Sequence, residues 1–229
     1  MIMLNTSIKT LIDSDLIGKA NRVQRYASSR LTDPENLAMH SHDVCMTGIL
    51  LIDRIRFIEP LEEINIGKYL SKAMIHDMEE VSTGDVPRPL KYSSTEVRKS
   101  LQSVADIAAA DLFTSNFYDS TTWYNLWKTA KECKEGHLLK FVDLLCVLRK
   151  SVYEVDTLGN KTMLDVIGNI AVYMKDLYDN REEYLRVFDY QTTRDYLAVC
   201  IMECREIAHS ILDKYRDSTT RGIHSGDYI

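Results

Sequence analysis

The sequence predicts an all-α protein, a single helical bundle of about seven to eight helices. Three observations lead to that expectation. The 229 residues include nine glycines and four prolines, so helix breakers are sparse. Short alternating runs of β-branched residues bounded by turn residues, the mark of strands, are scarce. Apolar residues recur instead at intervals of three and four.

Taken in order, helices are expected at about 8–20, 35–58, 64–80, 93–114, 120–134, 137–156, 161–187 and 190–215. Thr32-Asp33-Pro34-Glu35 reads as the start of the second, a capping side chain followed by proline in the first turn. Within it Leu37, Val44, Leu51 and Ile55 form one stripe, and His40 lies in line with them. His42 is about 200° around the same helix and points elsewhere. In the third helix Ile66, Leu70, Ala73 and Met74 make the expected buried stripe, and its next place is Asp77. His76 is adjacent and Glu80 lies one turn further on. Residues 81–92, with Gly84, Pro87 and Pro89, read as the one conspicuous irregular loop. The helix at 137–156 carries Asp143 with Leu139, Cys146 and Val147 one turn away. From Asp217 the chain turns polar and glycine-containing, which divides it into one domain at 1–216 and a flexible tail at 217–229.

Composition narrows the function. The longest apolar runs are too short to cross a bilayer, and the first residues lack the basic and apolar segments of a signal peptide. A cytoplasmic protein without a membrane partner is expected, in a bacterial cell or, if phage-encoded, in the host. The formal net charge of −6 argues against binding a nucleic-acid polymer. It leaves room for a small anion, because a metal and one or two arginines reverse the sign locally. The five cysteines are an odd number set among apolar residues, so reduced, packed thiols are expected. Cys200 and Cys204, one turn apart and near His209, lack the second pair a metal site needs.

The polar residues on apolar stripes each have two readings. An inward His40 is a hydrogen-bonded core residue or a metal ligand. Asp77 is hydrated at a helix end or bound to a cation, since the helix dipole disfavours the acids gathered there. Asp143 is one half of a buried ion pair or a ligand. Together with His76 they supply two imidazoles and two carboxylates from three helices. Such a set suits one divalent transition metal, manganese, cobalt, iron or zinc.

His40, the pair His76-Asp77, and Asp143 resemble the H…HD…D signature of the HD-domain phosphohydrolases. More narrowly, Glu35-Asn36-Leu37-Ala38-Met39-His40-Ser41 resembles the E-N-V-x-E-H-S segment of the bacterial 5′-deoxynucleotidase (YfbR-like) branch. The stretch from His76-Asp77 through Glu80, Thr83-Gly84-Asp85, Pro87 and Pro89 to Lys91 is similar to that branch's H-D-x-x-E-x-x-T-G-D-x-P-x-P-x-K. Arg25-Tyr26 stands as far ahead of His40 as an Arg-Trp pair does in the branch. The resemblance spans about residues 20–150.

It implies an HD-domain bundle with His40, His76, Asp77 and Asp143 as metal ligands, and Glu80 as the acid that handles protons around the attacking water. It also implies that Arg25 orients the phosphate and that Asp85, Val86, Pro87 and Arg88 form the substrate loop, with Asp85 approaching the sugar. Tyr26 replaces a tryptophan that helps exclude a 2′-hydroxyl. Met39 replaces an acid, and Arg88 replaces a small polar residue. The implied activity is 5′-deoxynucleotidase action on deoxynucleotides by a homodimer. The alternative activity is deoxynucleoside triphosphate hydrolysis, with Arg88 holding extra phosphates, and the non-enzyme alternative is an inactive HD-fold interaction protein.

Overall fold

The structure is a computed structural model that describes Ile8 and residues 14–26, 28–91 and 93–221, without the side chains of residues 88, 89 and 217–221. In chain order its α-helices are α1 (Leu16–Arg22), α2 (Leu37–Ile58), α3 (Ile66–Ile75), α4 (Glu80–Thr83), α5 (Arg88–Lys91), α6 (Thr95–Asn116), α7 (Ser120–Lys128), α8 (Cys133–Val152), α9 (Leu164–Asp179), α10 (Arg181–Leu185) and α11 (Gln191–Arg221). A π-helical turn, Tyr153–Thr157, ends α8, and a 3₁₀ turn, Lys161–Met163, leads into α9. Among the described residues there is no strand, only an isolated bridge between Gln24 and Asn36. The all-α expectation holds. No helix among the described residues is long and apolar enough to cross a membrane.

Burial explains the arrangement. Helix α8 is apolar on most of its circumference, with Leu138, Leu139, Phe141, Val142, Leu144 and Cys146 all buried, so it runs through the middle with α2, α3, α9 and α11 around it. A smaller core of Ile75, Ala109, Leu112, Phe113 and Trp127 joins α3, α6 and α7. The expected stripe of α2 is buried at Leu37, Val44, Leu51 and Ile55.

Several boundaries differ from the sequence reading. Helix α2 starts at Leu37, capped by the Asn36 side chain, which accepts the Met39 N–H at 2.9 Å. Thr32 and Asp33 are outside it because their N–H groups donate to Glu154, both at 2.9 Å. Helix α3 ends at Ile75; Tyr69, Lys72, Ala73 and Ile75 are its buried residues, and Met74 is exposed. Asp77 therefore lies in the turn after the helix. The loop at 81–92 is less irregular than expected, since α4 and α5 occupy its ends. Helix α7 stops at Lys128, and the buried Lys72 ammonium donates to the Thr129 and Ala130 carbonyls there, a cation at a helix C-terminus. The helix expected at 161–187 is broken at Asn180, whose side chain bonds the Asp176 carbonyl at 2.8 Å. Helix α11 runs to Arg221, and residues 222–229 of the expected tail lie outside the described residues.

Candidate active site

Three elements converge on one cluster: α2 brings His40, the turn after α3 brings His76 and Asp77, and α8 brings Asp143. One potential ligand atom from each residue lies within 4.8 Å of the others. His40 Nε2 is 3.1 Å from Asp143 Oδ1, and the two imidazole centroids are 5.7 Å apart. His76 Nδ1 donates to the Ala73 carbonyl at 2.8 Å, which directs Nε2 into the cluster. That Nε2 is buried without a hydrogen-bond partner, although Asp77 Oδ2 is 3.1 Å away. A buried imidazole nitrogen left unpaired among carboxylates suits a divalent cation. His42 is exposed on the other side of α2, as its position predicts. Cys200, Cys204 and His209 form no such cluster among the described residues.

The surroundings are charged and mostly buried. Arg25 Nη1 lies 3.2 Å from Asp77 Oδ2 and 3.5 Å from Glu80 Oε2. Its Nε is 3.6 Å from Glu35 Oε1, which is also 3.6 Å from His40 Nδ1. Glu35 thus stands between the guanidinium and the His40 imidazole. Its place in the quoted motif was the only sequence signal for it. Burial, and then the charge of Asp77, push the Glu80 carboxyl up to about 9, with Arg25 opposing. Burial works against charge on His76 and Asp77 as well. Their mutual attraction prevails, holding Asp77 well below the usual carboxylate range and His76 above its ordinary value.

A cleft of about 540 Å³ opens over this cluster. Arg25, Asp77, Glu80 and Asp143 line its floor, while Tyr26, Asp85, Val86 and Pro87 form one wall. The Tyr26 backbone is left-handed at φ 59°, and its N–H donates to Asp85 Oδ2 at 2.6 Å. The expected sugar-facing carboxylate thus already has a backbone partner. Arg88 opens α5, and its side chain lies outside the described residues. The facing wall comes from α9 through Val166, Asn169 and Ile170, residues the sequence reading did not single out. Lys91, the last residue of the quoted motif, and Lys131 also line the cleft. Lys131 carried no motif or periodicity signal.

A family model described as 5′-deoxynucleotidase YfbR-like matches residues 14–190. A 5′-deoxynucleotidase of Pasteurella multocida is 25% identical over 173 residues, covering 71% of this chain and 83% of that protein. A 5′-deoxynucleotidase of Escherichia coli is 26% identical over 151 residues, covering 65% and 75%. In fold, the chain is similar to an HD-domain phosphohydrolase of Listeria innocua, with a TM-score of 0.64 and 20% identity over 87% of this chain and 90% of that one. A conserved protein of Pyrococcus furiosus gives a TM-score of 0.58 at 22% identity, covering 87% and 99%.

Proposed function

The chain belongs to the YfbR-like 5′-deoxynucleotidase family, and from that premise we propose that it hydrolyses deoxynucleoside 5′-monophosphates to deoxynucleoside and inorganic phosphate. One observation carries this reading: the cluster of His40, His76, Asp77 and Asp143 meets an open cleft at Asp77 and Asp143, beside the Arg25 guanidinium and the Glu80 carboxyl. His40, His76, Asp77 and Asp143 would hold one divalent transition metal, and their mixed nitrogen and oxygen donors suit manganese, cobalt, iron or zinc. When bound, such a metal supplies Lewis acidity toward a phosphoryl oxygen and toward the attacking water.

The chain's own groups do the rest. Arg25 grips the phosphate oxygens and stabilises charge as the ester bond breaks. Glu80, beside Arg25 and one turn from Asp77, takes a proton from the attacking water or returns one to the departing O5′. Tyr26, Val86 and Pro87 pack against the sugar, and Asp85 holds the Tyr26 backbone in place. Val166, Asn169 and Ile170 face the base across the cleft. The working form is a homodimer. Met39, Met46, Leu50 and Phe57 expose an apolar stripe along α2, a surface of the kind a second copy covers.

The test is a screen of all four deoxynucleoside monophosphates and their ribose counterparts with manganese, cobalt, zinc and magnesium. The expected result is orthophosphate release from one or more deoxynucleotides, lost in His76→Ala and Asp77→Ala together with bound metal. No release from any monophosphate with any metal would overturn the reading.

A further inference from the structure

Helix α9 presents two adjacent rows to the cleft. Val166 and Ile170 make an apolar row, and Asp165 and Asn169 make a polar row beside it. The members of each pair are four residues apart, so they stand one above the other, about 6 Å along the axis. The quoted motifs end at Asp143, before α9 begins, and imply nothing about these four residues.

The polar row has no structural task. Among the described residues neither the Asp165 carboxylate nor the Asn169 amide has a hydrogen-bond or ion-pair partner. Thr162, on the same wall, is by contrast committed, its hydroxyl donating to Asn160 Oδ1 at 2.6 Å. Asp165 stands in the first turn of α9, where the helix dipole alone favours an acid. Asn169 has no such reason. It sits a turn further in, where an unbonded amide favours the helix less than alanine or leucine would. The cations of the cleft lie elsewhere. Arg25 is paired with Asp77 and Glu80 on the floor. Lys91 and Lys131 line the parts that adjoin two further cavities, one of them on the far side of Asp143. The anionic end of a nucleotide therefore belongs on the floor, which leaves its base against α9.

A base edge offers donors and acceptors in a fixed order. A carboxylate only accepts, whereas an amide donates and accepts and can turn over to suit either order. Adenine and cytosine carry an exocyclic amino group beside a ring nitrogen that accepts. In hypoxanthine and uracil an oxygen replaces that group, and the neighbouring ring nitrogen carries a proton. We propose that Asp165 and Asn169 read the base edge, and that Asp165 makes the enzyme prefer amino-bearing adenine and cytosine deoxynucleotides over their oxo counterparts. The inference rests on the deoxynucleotide reading above. The amino group donates one N–H to Asp165 and the other to Asn169 Oδ1, while Asn169 Nδ2 donates to the ring nitrogen. On an oxo base the Asn169 amide turns over, but the Asp165 carboxylate then faces a second acceptor, and that contact is repulsive.

Two matched pairs isolate the exocyclic group: deoxyadenosine against deoxyinosine monophosphate, and deoxycytidine against deoxyuridine monophosphate. With manganese bound, kcat/KM should favour the amino member of each pair by about 10-fold or more, chiefly through KM. Calorimetric titration with the four deoxynucleosides, which need no turnover, should give the same order in Kd. Asp165→Asn, which can donate as well as accept, should bring each pair within about two-fold. Asn169→Leu, of similar volume, should raise KM for all four nucleotides by about 10-fold. Asp165 is exposed and Asn169 half-buried, so both variants should keep wild-type helicity by circular dichroism. Equal or reversed preference within the pairs, or a preference that survives Asp165→Asn, would overturn the proposal. Parallel losses for all four substrates in Asp165→Asn would reduce that residue to a structural role and overturn it too. No orthophosphate from any monophosphate counts against the proposed function instead, and the deoxynucleoside titrations then decide the base contact by themselves.

Discussion

Tyr26 holds a left-handed backbone at φ 59°, a conformation that costs a bulky residue roughly 1–3 kcal/mol and persists only when its surroundings impose it. Asp85 imposes it through the 2.6 Å bond from the Tyr26 N–H. Two substitutions separate this role from direct sugar recognition. Asp85→Asn keeps an acceptor for the N–H and should retain activity, whereas Asp85→Ala should raise KM and lower kcat with bound metal unchanged. Equal losses in both variants would mean that the carboxylate charge itself meets the substrate. At Glu80, removing the titratable oxygen in Glu80→Gln should lower kcat by about 100- to 10,000-fold, the usual worth of a proton-transfer group. Elemental analysis should find the metal still bound, and unchanged kcat would remove Glu80 from the chemistry.

At the scale of elements, the site depends on how closely α2 and α3 approach. Gly48 faces the buried Tyr69 ring, and the Tyr69 hydroxyl donates to the Val44 carbonyl at 2.9 Å. Helix propensity alone would make Gly48→Ala stabilising by about 1 kcal/mol. A Cβ at this position falls inside the Tyr69 ring, which packing and its hydrogen bond hold in place. Overpacking of this kind costs about 1–3 kcal/mol and should prevail. Thermal unfolding should therefore show a lower Tm for Gly48→Ala, together with weaker metal binding as His40 and His76 move apart. A Tm at or above wild type would show that Tyr69 has room to shift.

Across the whole molecule, Glu154 joins the end of α8 to the segment entering α2. Its fully buried carboxylate accepts from the Thr32 and Asp33 N–H groups and from the Asn160 amide at 2.8 Å, with Lys150 3.2 Å away. Burial opposes the charge, but these donors outweigh it and lower the pKa from 4.5 to about 2. A depressed folded-state pKa contributes stability above the unfolded value, and that stability is lost as pH falls through the folded one. The contribution is present at neutral pH and disappears between about pH 5 and pH 2. Urea unfolding of wild type and Glu154→Gln should show a stability gap at pH 7 that closes over this window. A gap independent of pH would show that the carboxylate charge is not what secures this junction.

The sequence by itself determined the helical class, the inward face of α2 and the identities of the cluster residues. Helical period is a local property, so Leu37, Val44, Leu51 and Ile55 reveal the buried face on which His40 sits. The quoted motifs named His76, Asp77, Glu80 and Asp143 without giving any distance between them. Tertiary structure decided where elements stop and what meets across them. Thr32-Asp33-Pro34 has the local chemistry of a helix start, but Glu154, 122 residues beyond Thr32, claims those N–H groups instead. Helix α3 ends one residue before His76, where backbone bonds from Met78 to Ile75 and from Glu80 to Asp77 close tight turns that carry His76 and Asp77 into the cluster. The cavity on the far side of Asp143 was illegible for the same reason. Arg98, Lys131, Lys140 and Arg186 each look like ordinary surface charges in the sequence, and only the packing of α6, α7, α8 and α10 makes them walls of one cavity.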